Sequence, residues 1–344
     1  MSLIVVVGAS GAQGGSVVNQ LLKNPNWRIR GITRNASGEK AQQLAKTGIE
    51  VTTADLDDEA SLVHAFEGAT AVFAVTTFWE AIDTVGRDGA GDAEVQQCIN
   101  LAKAASVIPT LQHYIVSALP PASKISKGKF KVPHLDSKQK GVDWMVENVP
   151  ELWAKTTEFW PGAYTSNLAF FPMLKFVPVQ DSGNYAFITP SSPSAYLPLA
   201  GDLETNCGIV VEGILNAGSK AYGKIAVCVT DYVAMKDIAS EFEKVTGKSA
   251  AYLEISDEDM YKIWGAFGAE LASQLRWSEE YPDWHSFFPH RVISFADLGI
   301  EGKLVHFREA LVGLKDRLTG SPSTLSSSRR DSSAVKGKDH NHRE

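Results

Sequence analysis

The sequence predicts an α/β protein in which a doubly wound parallel sheet is followed by a smaller C-terminal α+β lobe. Three observations support this fold class. The chain opens with an apolar run that leads directly into glycines. Short apolar runs then alternate with helical patterns as far as residue 160, an alternation that builds parallel sheets. Beyond that point the apolar runs shorten and turn-rich segments such as QDSGN and TPSSPS appear, which predicts a lobe of different construction.

Residues 3–7 are the first predicted strand, since an unbroken apolar run of this length is typical of a parallel strand covered on both faces. Gly8 follows where the chain must turn sharply, and Gly11 and Gly14 allow the backbone to approach a ligand closely. Apolar residues after Gly15 recur at helical spacing and predict a helix over 16–23.

The unpaired N–H groups at the start of such a helix bind anions, and the pyrophosphate of a dinucleotide suits this pattern. A tight strand-to-helix turn without a ligand is the alternative interpretation. The residues of this turn predicted to bind cofactor are Gly8, Ala9, Ser10, Gly11, Ala12, Gln13 and Gly14.

The alternation of strands and helices continues along the chain. Further strands are predicted over 27–35, 49–58, 70–76, 112–118 and 151–159, and helices over 38–48, 60–66, 92–105 and 135–149.

We expect a dinucleotide-binding domain over 1–160 and a substrate or interaction lobe over 161–318, some of whose strands return to the main sheet. The serine-rich segment 319–344 has too few apolar residues to bury and is predicted to be a disordered tail.

Composition argues against several classes of protein. The net charge of -7 argues against direct nucleic-acid binding. The three cysteines, Cys98, Cys207 and Cys228, lack the spacing of a disulfide framework or a metal site, which favours a reducing compartment. No apolar run reaches the roughly 18 residues of a membrane span, and the first apolar run is a strand rather than a signal peptide. We therefore expect a cytoplasmic protein, with the nucleus as a further location, without metal and without a membrane.

The end of the second strand distinguishes NADP from NAD. An Asp or Glu at this position would accept hydrogen bonds from a ribose hydroxyl, whereas this chain has Arg34 and Asn35. Because a guanidinium can pair with a phosphate, the pattern favours NADP(H). A solvated surface arginine is the alternative for Arg34.

The next two strands end in further candidates for cofactor binding. Asp55 and Leu56 lie where they could recognise adenine, although Asp55 could instead cap the following helix. Thr76, Thr77 and Phe78 end the fourth strand, at the sheet edge where ligands bind in open α/β sheets.

The motifs GASGAQGG, ITRN, ADLDD, VTTFWE and PGAYTSN, in this order, resemble the NmrA-like family, a branch of the atypical short-chain dehydrogenases. The resemblance covers roughly residues 3–315. It implies a Rossmann domain with a smaller C-terminal lobe. The family includes fungal nitrogen-metabolite regulators, a vertebrate NADP(H) redox sensor and NADPH-dependent reductases of specialised metabolism.

The resemblance also implies site residues. Short-chain dehydrogenases use a YxxxK pair, and the matching segment here is PHLDSKQKG. Lys138 fits the lysine that holds the nicotinamide ribose, and His134 stands at the position of the proton-donating tyrosine, as in the redox-sensor type. Ser117 matches the family's serine. An imidazole can protonate an alkoxide near neutral pH, but a histidine near a helix start can also be a surface or capping residue.

The loop PGAYTSN supplies the last candidates. Tyr164 is a second potential proton donor, and Gly162, Tyr164 and Asn167 are expected to contact cofactor or substrate. Simple loop packing is the alternative. Trp79 follows Phe78 and is expected to lie along the dinucleotide. Of the other tryptophans, which are expected to pack in cores, Trp160 lies beside the predicted crevice and is the further candidate for ligand contact.

Two functions are compatible with these residues. The preferred one is an NADPH-dependent oxidoreductase that reduces a small carbonyl, imine or activated alkene, with His134, Lys138, Ser117 and Tyr164 as catalytic candidates. The alternative is a non-catalytic NADP(H) sensor or transcriptional co-regulator that acts through a regulatory protein partner, because histidine replaces the usual tyrosine. A homodimer is compatible with either function.

Overall fold

The structure, a computed structural model, describes residues 1–320 and is built on an eight-stranded parallel sheet. In chain order the strands β1 to β13 are Ser2–Val7, Trp27–Thr33, Glu50–Thr53, Ala71–Ala74, His113–Ser117, Thr156–Pro161, Val177–Pro178, Tyr185–Thr189, Tyr196–Leu199, Ile225–Cys228, Asp231–Ala234, Ala250–Glu254 and Val292–Ile293. The main sheet has the order β13-β10-β6-β5-β4-β1-β2-β3, with every pair parallel. The predicted α/β fold with a doubly wound parallel sheet is confirmed.

Helices cover both faces of this sheet. In chain order the helices α1 to α13 are Ala12–Leu21, Glu39–Ala45, Glu59–Phe66, Ile82–Ser106, Ala122–Ile125, Pro133–Asn148, Pro150–Trp153, Asn167–Phe170, Leu203–Ala217, Met235–Thr246, Asp257–Glu280, Phe307–Gly313 and Lys315–Leu318. Strand β1 shows how the two cores form: Ile4 and Val6 point to one face, whereas Val5 and Val7 point to the other. All four side chains are buried, as the unbroken apolar run predicts.

The chain after residue 161 contributes to the main sheet and also builds separate structure. Strands β10 and β13 extend the main sheet, and α9 packs against α1 so closely that a Cβ at Gly208 would lie 2.3 Å from the Ser16 carbonyl oxygen. Two small sheets, β11-β9 and β12-β8-β7, lie outside it. A third core around Phe176, Phe187 and Phe242 packs these elements together.

Several predicted element boundaries are wrong. Strand β3 ends at Thr53 and not at residue 58. Helix α1 begins at Ala12 and not at residue 16. Gly14 has a low helix propensity, but it lies where the first turn of the helix packs against the Gly8 carbonyl group. Residues 150–153 form the short helix α7 rather than a strand, with Pro150 at its first position. Helix α4 begins at Ile82, well before the predicted residue 92, and is broken at Gly86, where φ is 71°.

The predicted disordered tail over 319–344 falls, beyond Gly320, outside the residues that the structure describes. Within residues 1–320, no helix combines the length and the apolar character needed to cross a bilayer.

Candidate functional site

The sheet order reverses between β1 and β4, and the glycine turn lies at this point. Gly8 has a φ of 64°, and a Cβ at Gly14 would lie 2.3 Å from the Gly8 carbonyl oxygen, so both positions require glycine. Helix α1 starts here with Gly11 as its N-cap, and no side chain caps its first amides. The uncapped amides and the missing side chains fit a pyrophosphate, which needs donors and close backbone approach.

A cavity of about 470 Å³ runs from this turn across the carboxyl ends of the strands. It brings together most of the site residues predicted from the sequence. Those that line it are Gly8, Gly11, Ala12, Gln13, Gly14, Thr76, Thr77, Phe78, Ser117, His134, Lys138, Gly162, Tyr164 and Asn167.

The remaining predicted residues lie outside the cavity wall. Ala9 is buried beneath the turn and Ser10 is exposed above it. The Arg34 guanidinium makes two bonds to the Glu80 carboxylate, Nη1 to Oε2 at 2.7 Å and Nη2 to Oε1 at 3.1 Å. Both side chains are more than half exposed, and Glu80 itself lines the cavity. This ion pair joins the loops that follow β2 and β4.

The polar residues after β2 and β3 order their own loops. The Asn35 side-chain oxygen accepts hydrogen bonds from the Ser37 amide and hydroxyl. Asp55 accepts one from the Asp57 amide at 3.0 Å, and the carboxylate that caps α3 is that of Asp58. Capping by Asp55, the alternative interpretation, is therefore wrong. Leu56 is half-buried against the core.

Lys138 is held on the cavity wall by a buried carboxylate. Its Nζ donates to Glu94 Oε1 at 2.7 Å and to Thr76 Oγ1 at 2.8 Å. Ser137 donates to the other oxygen of Glu94, whose side chain is fully buried. The lysine charge is thereby neutralised while its ammonium stays beside the cavity, where it could hold a ribose hydroxyl.

His134 is held by a second buried carboxylate, Glu270. The Glu270 Oε1 atom is 2.6 Å from His134 Nδ1 and also accepts the His134 amide at 2.9 Å. Its Oε2 atom accepts from Arg87 Nε at 2.6 Å. Burial alone would raise the pKa of Glu270, but hydrogen bonds and charge from His134, with Arg87, hold it below the usual value. Phe78 and Trp79 pack against the imidazole ring.

Tyr164 lies at the glycine-turn end of the cavity, where its hydroxyl accepts a hydrogen bond from Gln13 Nε2 at 2.7 Å. Burial raises the pKa of this phenol to about 12, so it stays neutral at physiological pH. The other polar atom of the Gln13 amide, Oε1, is buried and has no hydrogen-bond partner among residues 1–320. A ligand at the turn could satisfy it.

Aromatic side chains form much of the remaining cavity wall. Trp79, which lines the cavity, stacks on Phe267 with ring centroids 5.9 Å apart. Trp277 and Trp284 line the far side. Trp160 does not line the cavity, contrary to the expectation from its position in the sequence. Its ring lies fully in the core, because β6 directs it toward the helices rather than the sheet edge.

Sequence reasoning missed both buried carboxylates. Each lies on the apolar face of its helix: Glu94 precedes Cys98 and Leu101 by one and two turns, and Glu270 precedes the buried Trp277 by two turns. A carboxylate on a buried stripe needs a cationic or hydrogen-bonding partner, and this is the signal that could have singled them out.

Comparison with known proteins agrees with this architecture. The model of the NmrA-like family matches residues 1–301. The NmrA-like family domain-containing oxidoreductase cpsB of Aspergillus campestris is 28% identical over 288 residues, which cover 80% of this chain and 81% of that protein. Solved structures of NmrA, a negative transcriptional regulator, in complex with NAD and with NADP have TM-scores of 0.69 and 0.68 and identities of 20% and 21%. Each of these two structural alignments covers 91% of this chain and 95% of the NmrA chain. The chain belongs to the NmrA-like family.

Proposed function

We propose that this protein is an NADP(H)-dependent reductase of a small carbonyl, imine or activated alkene. One observation carries the proposal: a single cavity connects the anion-binding glycine turn with Lys138 and with the imidazole of His134. A dinucleotide bound along the sheet edge would therefore end beside a group able to donate a proton. The name oxidoreductase borne by the relative cpsB supports the same reaction class.

The residues that would hold the cofactor lie along the sheet edge. The uncapped amides at the start of α1 would bind the pyrophosphate, and Arg34 would bind the 2′-phosphate after leaving Glu80. Lys138 would donate to the nicotinamide ribose from its position beside Glu94. The bound cofactor supplies the hydride.

Among the candidate proton donors, His134 suits the reaction best. The Glu270 carboxylate beside the ring would stabilise the positive charge of a protonated imidazole, so this ring can carry a proton to the cavity. The Tyr164 phenol, with its pKa raised to about 12, is a poor acid by comparison. Since Nδ1 of His134 faces Glu270, Nε2 is the atom that would deliver the proton. Ser117 and Tyr164 would orient the substrate through hydrogen bonds.

A substrate panel tests this proposal. Purified protein is incubated with NADPH and with aldehydes, ketones, imines and enones, half of them aromatic, and NADPH oxidation is followed. We expect turnover in at least one class, and a His134→Asn variant with kcat about 100-fold lower but unchanged NADPH affinity by calorimetry. No oxidation with any class, or an equal kcat in the variant, would contradict the proposal.

The second candidate function is NADP(H) sensing through a partner protein. The Arg34–Glu80 pair favours it, because binding of a 2′-phosphate by Arg34 would compete with the ion pair that joins the loops after β2 and β4. A sensor must bind its ligand with different affinity in its two conformations. Equal affinities for NADPH and NADP, together with sedimentation that neither cofactor changes, would exclude this function.

A further inference from the structure

We infer that Glu270 is a positioning residue that fixes the tautomer of His134, so that Nδ1 carries a hydrogen and Nε2 is the proton-exchanging atom at the cavity. The inference rests on the proposed function, because it concerns proton delivery at the same site. It adds residues of α4 and α11 to a site that the motifs place on the strand ends and α6.

The hydrogen-bond pattern around Glu270 determines the tautomer. The Glu270 Oε1 atom accepts the His134 main-chain amide at 2.9 Å and lies 2.6 Å from Nδ1 of the same residue. Arg87 occupies Oε2 at 2.6 Å. An ionised carboxylate only accepts hydrogen bonds, so the hydrogen between Oε1 and Nδ1 must belong to the ring. The neutral imidazole is then the Nδ1–H tautomer, and its lone pair is on Nε2.

The surroundings of the ring keep it in this orientation. Phe78 and Trp79 pack against it with centroids 5.7 Å and 5.2 Å away, and its side chain is only 8% exposed. One carboxylate oxygen accepts hydrogen bonds from both the main chain and the ring of His134, and the two bonds together oppose rotation about its side-chain torsions. Arg87 in turn limits the movement of Glu270. The ring is therefore fixed before a substrate arrives.

The charged groups near His134 come from three helices. Glu270 belongs to α11, Arg87 to α4, and Asp136 and Lys138 to α6. Asp136 accepts main-chain amides of residues 123 and 132, and Lys138 is paired with a different carboxylate. Within the described part of the chain, Glu270 is thus the charged group in direct hydrogen-bond contact with the ring.

The proton step follows from this tautomer. In each turnover the Nε2–H bond of the doubly protonated ring breaks and its electron pair stays on Nε2. The proton bonds to the substrate atom on which reduction leaves a lone pair. The ring returns as the neutral Nδ1–H tautomer, and a hydronium ion from the solvent reprotonates it at Nε2, so each turnover consumes one proton. Glu270 stays ionised throughout and stabilises the charged ring.

A structural role for Glu270 is the simpler alternative. The His134 amide is among the first N–H groups of α6, and no side chain of the N-cap residue Val132 can satisfy them. Glu270 could therefore serve only as a helix cap supplied by another helix. A residue that only caps α6 must accept the main-chain N–H of His134, but it does not affect which ring nitrogen carries the hydrogen. The tautomer of the His134 ring therefore distinguishes the two roles.

Nitrogen-15 NMR of the full chain measures the ring directly, with His134→Asn identifying the signals. We expect the Nδ1–H tautomer at high pH in the wild type. In Glu270→Ala the ring loses the oxygen that accepts from Nδ1, so we expect the Nε2–H tautomer that an unconstrained neutral imidazole prefers. Glu280→Ala, the same substitution at an exposed position of α11, should leave the wild-type tautomer unchanged.

Kinetics provide the second measurement. Glu270→Gln should lower kcat about 100-fold with little change in KM, and the pH of half-maximal kcat should fall because the negative charge beside the ring is lost. Glu280→Gln should match the wild type in both respects. A pH profile of Glu270→Gln that superimposes on that of the wild type would overturn the inference and leave the proposed function intact.

The outcomes of the two measurements are separable. An Nε2–H tautomer in the wild type overturns the inference even if Glu270→Ala fails to fold. A chain without reductase activity that shows the expected change of tautomer supports the positioning of His134 by Glu270 and overturns only the proposed function.

Discussion

The two ends of the cavity are built in opposite ways. At the glycine end, main-chain groups within residues 8–15 provide the surface, and the residues that matter are those without side chains. At the histidine end, side chains from α4, α6 and α11 meet, and the partners His134 and Glu270 are 136 residues apart in the chain. Local backbone geometry thus forms one end, and long-range packing of charged groups forms the other.

This difference determines what each end tolerates. The glycine end presents fixed N–H dipoles that need no compensating charge. Substitutions there are therefore harmful when the new side chain collides with the backbone. The histidine end contains two fully buried carboxylates, and each is stabilised only by its partners. Replacing one member of a buried ion pair leaves the other uncompensated, which destabilises more than the pair contributes. The following experiments separate these two kinds of sensitivity.

The largest effect is expected from Gly14→Ala. The new Cβ would lie 2.3 Å from the Gly8 carbonyl oxygen, so the turn or helix α1 must shift. We expect the free energy of unfolding to fall by about 3 kcal/mol and dinucleotide affinity to fall about 100-fold. Gly15→Ala is the matched control, because its nearest contact is an ordinary 3.5 Å. Calorimetric titration and urea unfolding of both variants measure the difference, and equal behaviour of the two would refute the steric argument.

Glu94→Ala tests the other end of the cavity. It leaves the Lys138 ammonium, which is 11% exposed, without its carboxylate partner. We expect a loss of about 3 kcal/mol in the free energy of unfolding. Glu280→Ala also removes a glutamate from a lysine pair, but both partners are exposed, and we expect a loss below about 1 kcal/mol. Similar urea midpoints for the two variants would show that burial of Glu94 is energetically unimportant.

The same contrast explains what could be predicted from the sequence. The apolar run, the glycines and the helical spacing lie within about two dozen residues, so local chemistry predicts β1 and the turn. The start of α1 was missed because Gly14 and Gly15 look unfavourable in a helix, although close packing on Gly8 requires a glycine at 14. The pairing of Glu94 with Lys138 and of Glu270 with His134 depends on helix packing, which no local pattern encodes.

Arg34→Asp is expected to reverse the cofactor preference. The variant loses the guanidinium that would pair with a 2′-phosphate and gains a carboxylate that can accept bonds from ribose hydroxyls. NADP affinity should fall at least about 10-fold, or ~1.4 kcal/mol, while NAD affinity rises. Titration of one preparation with both dinucleotides provides the internal control. Unchanged NADP affinity would show that Arg34 remains with Glu80 and takes no part in binding.

The smallest effect is expected from Glu80→Gln, which removes the competitor for the Arg34 guanidinium. Because the pair is exposed, it is worth below about 1 kcal/mol, and NADP affinity should rise only about two- to fivefold. NAD affinity should stay unchanged, since NAD has no phosphate for Arg34 to bind. The gain should shrink as salt screens the pair, and it should vanish when Arg34 is already aspartate, so the double variant closes a thermodynamic cycle. An equal gain for NAD would mean that Glu80 obstructs the cavity sterically instead of competing for Arg34.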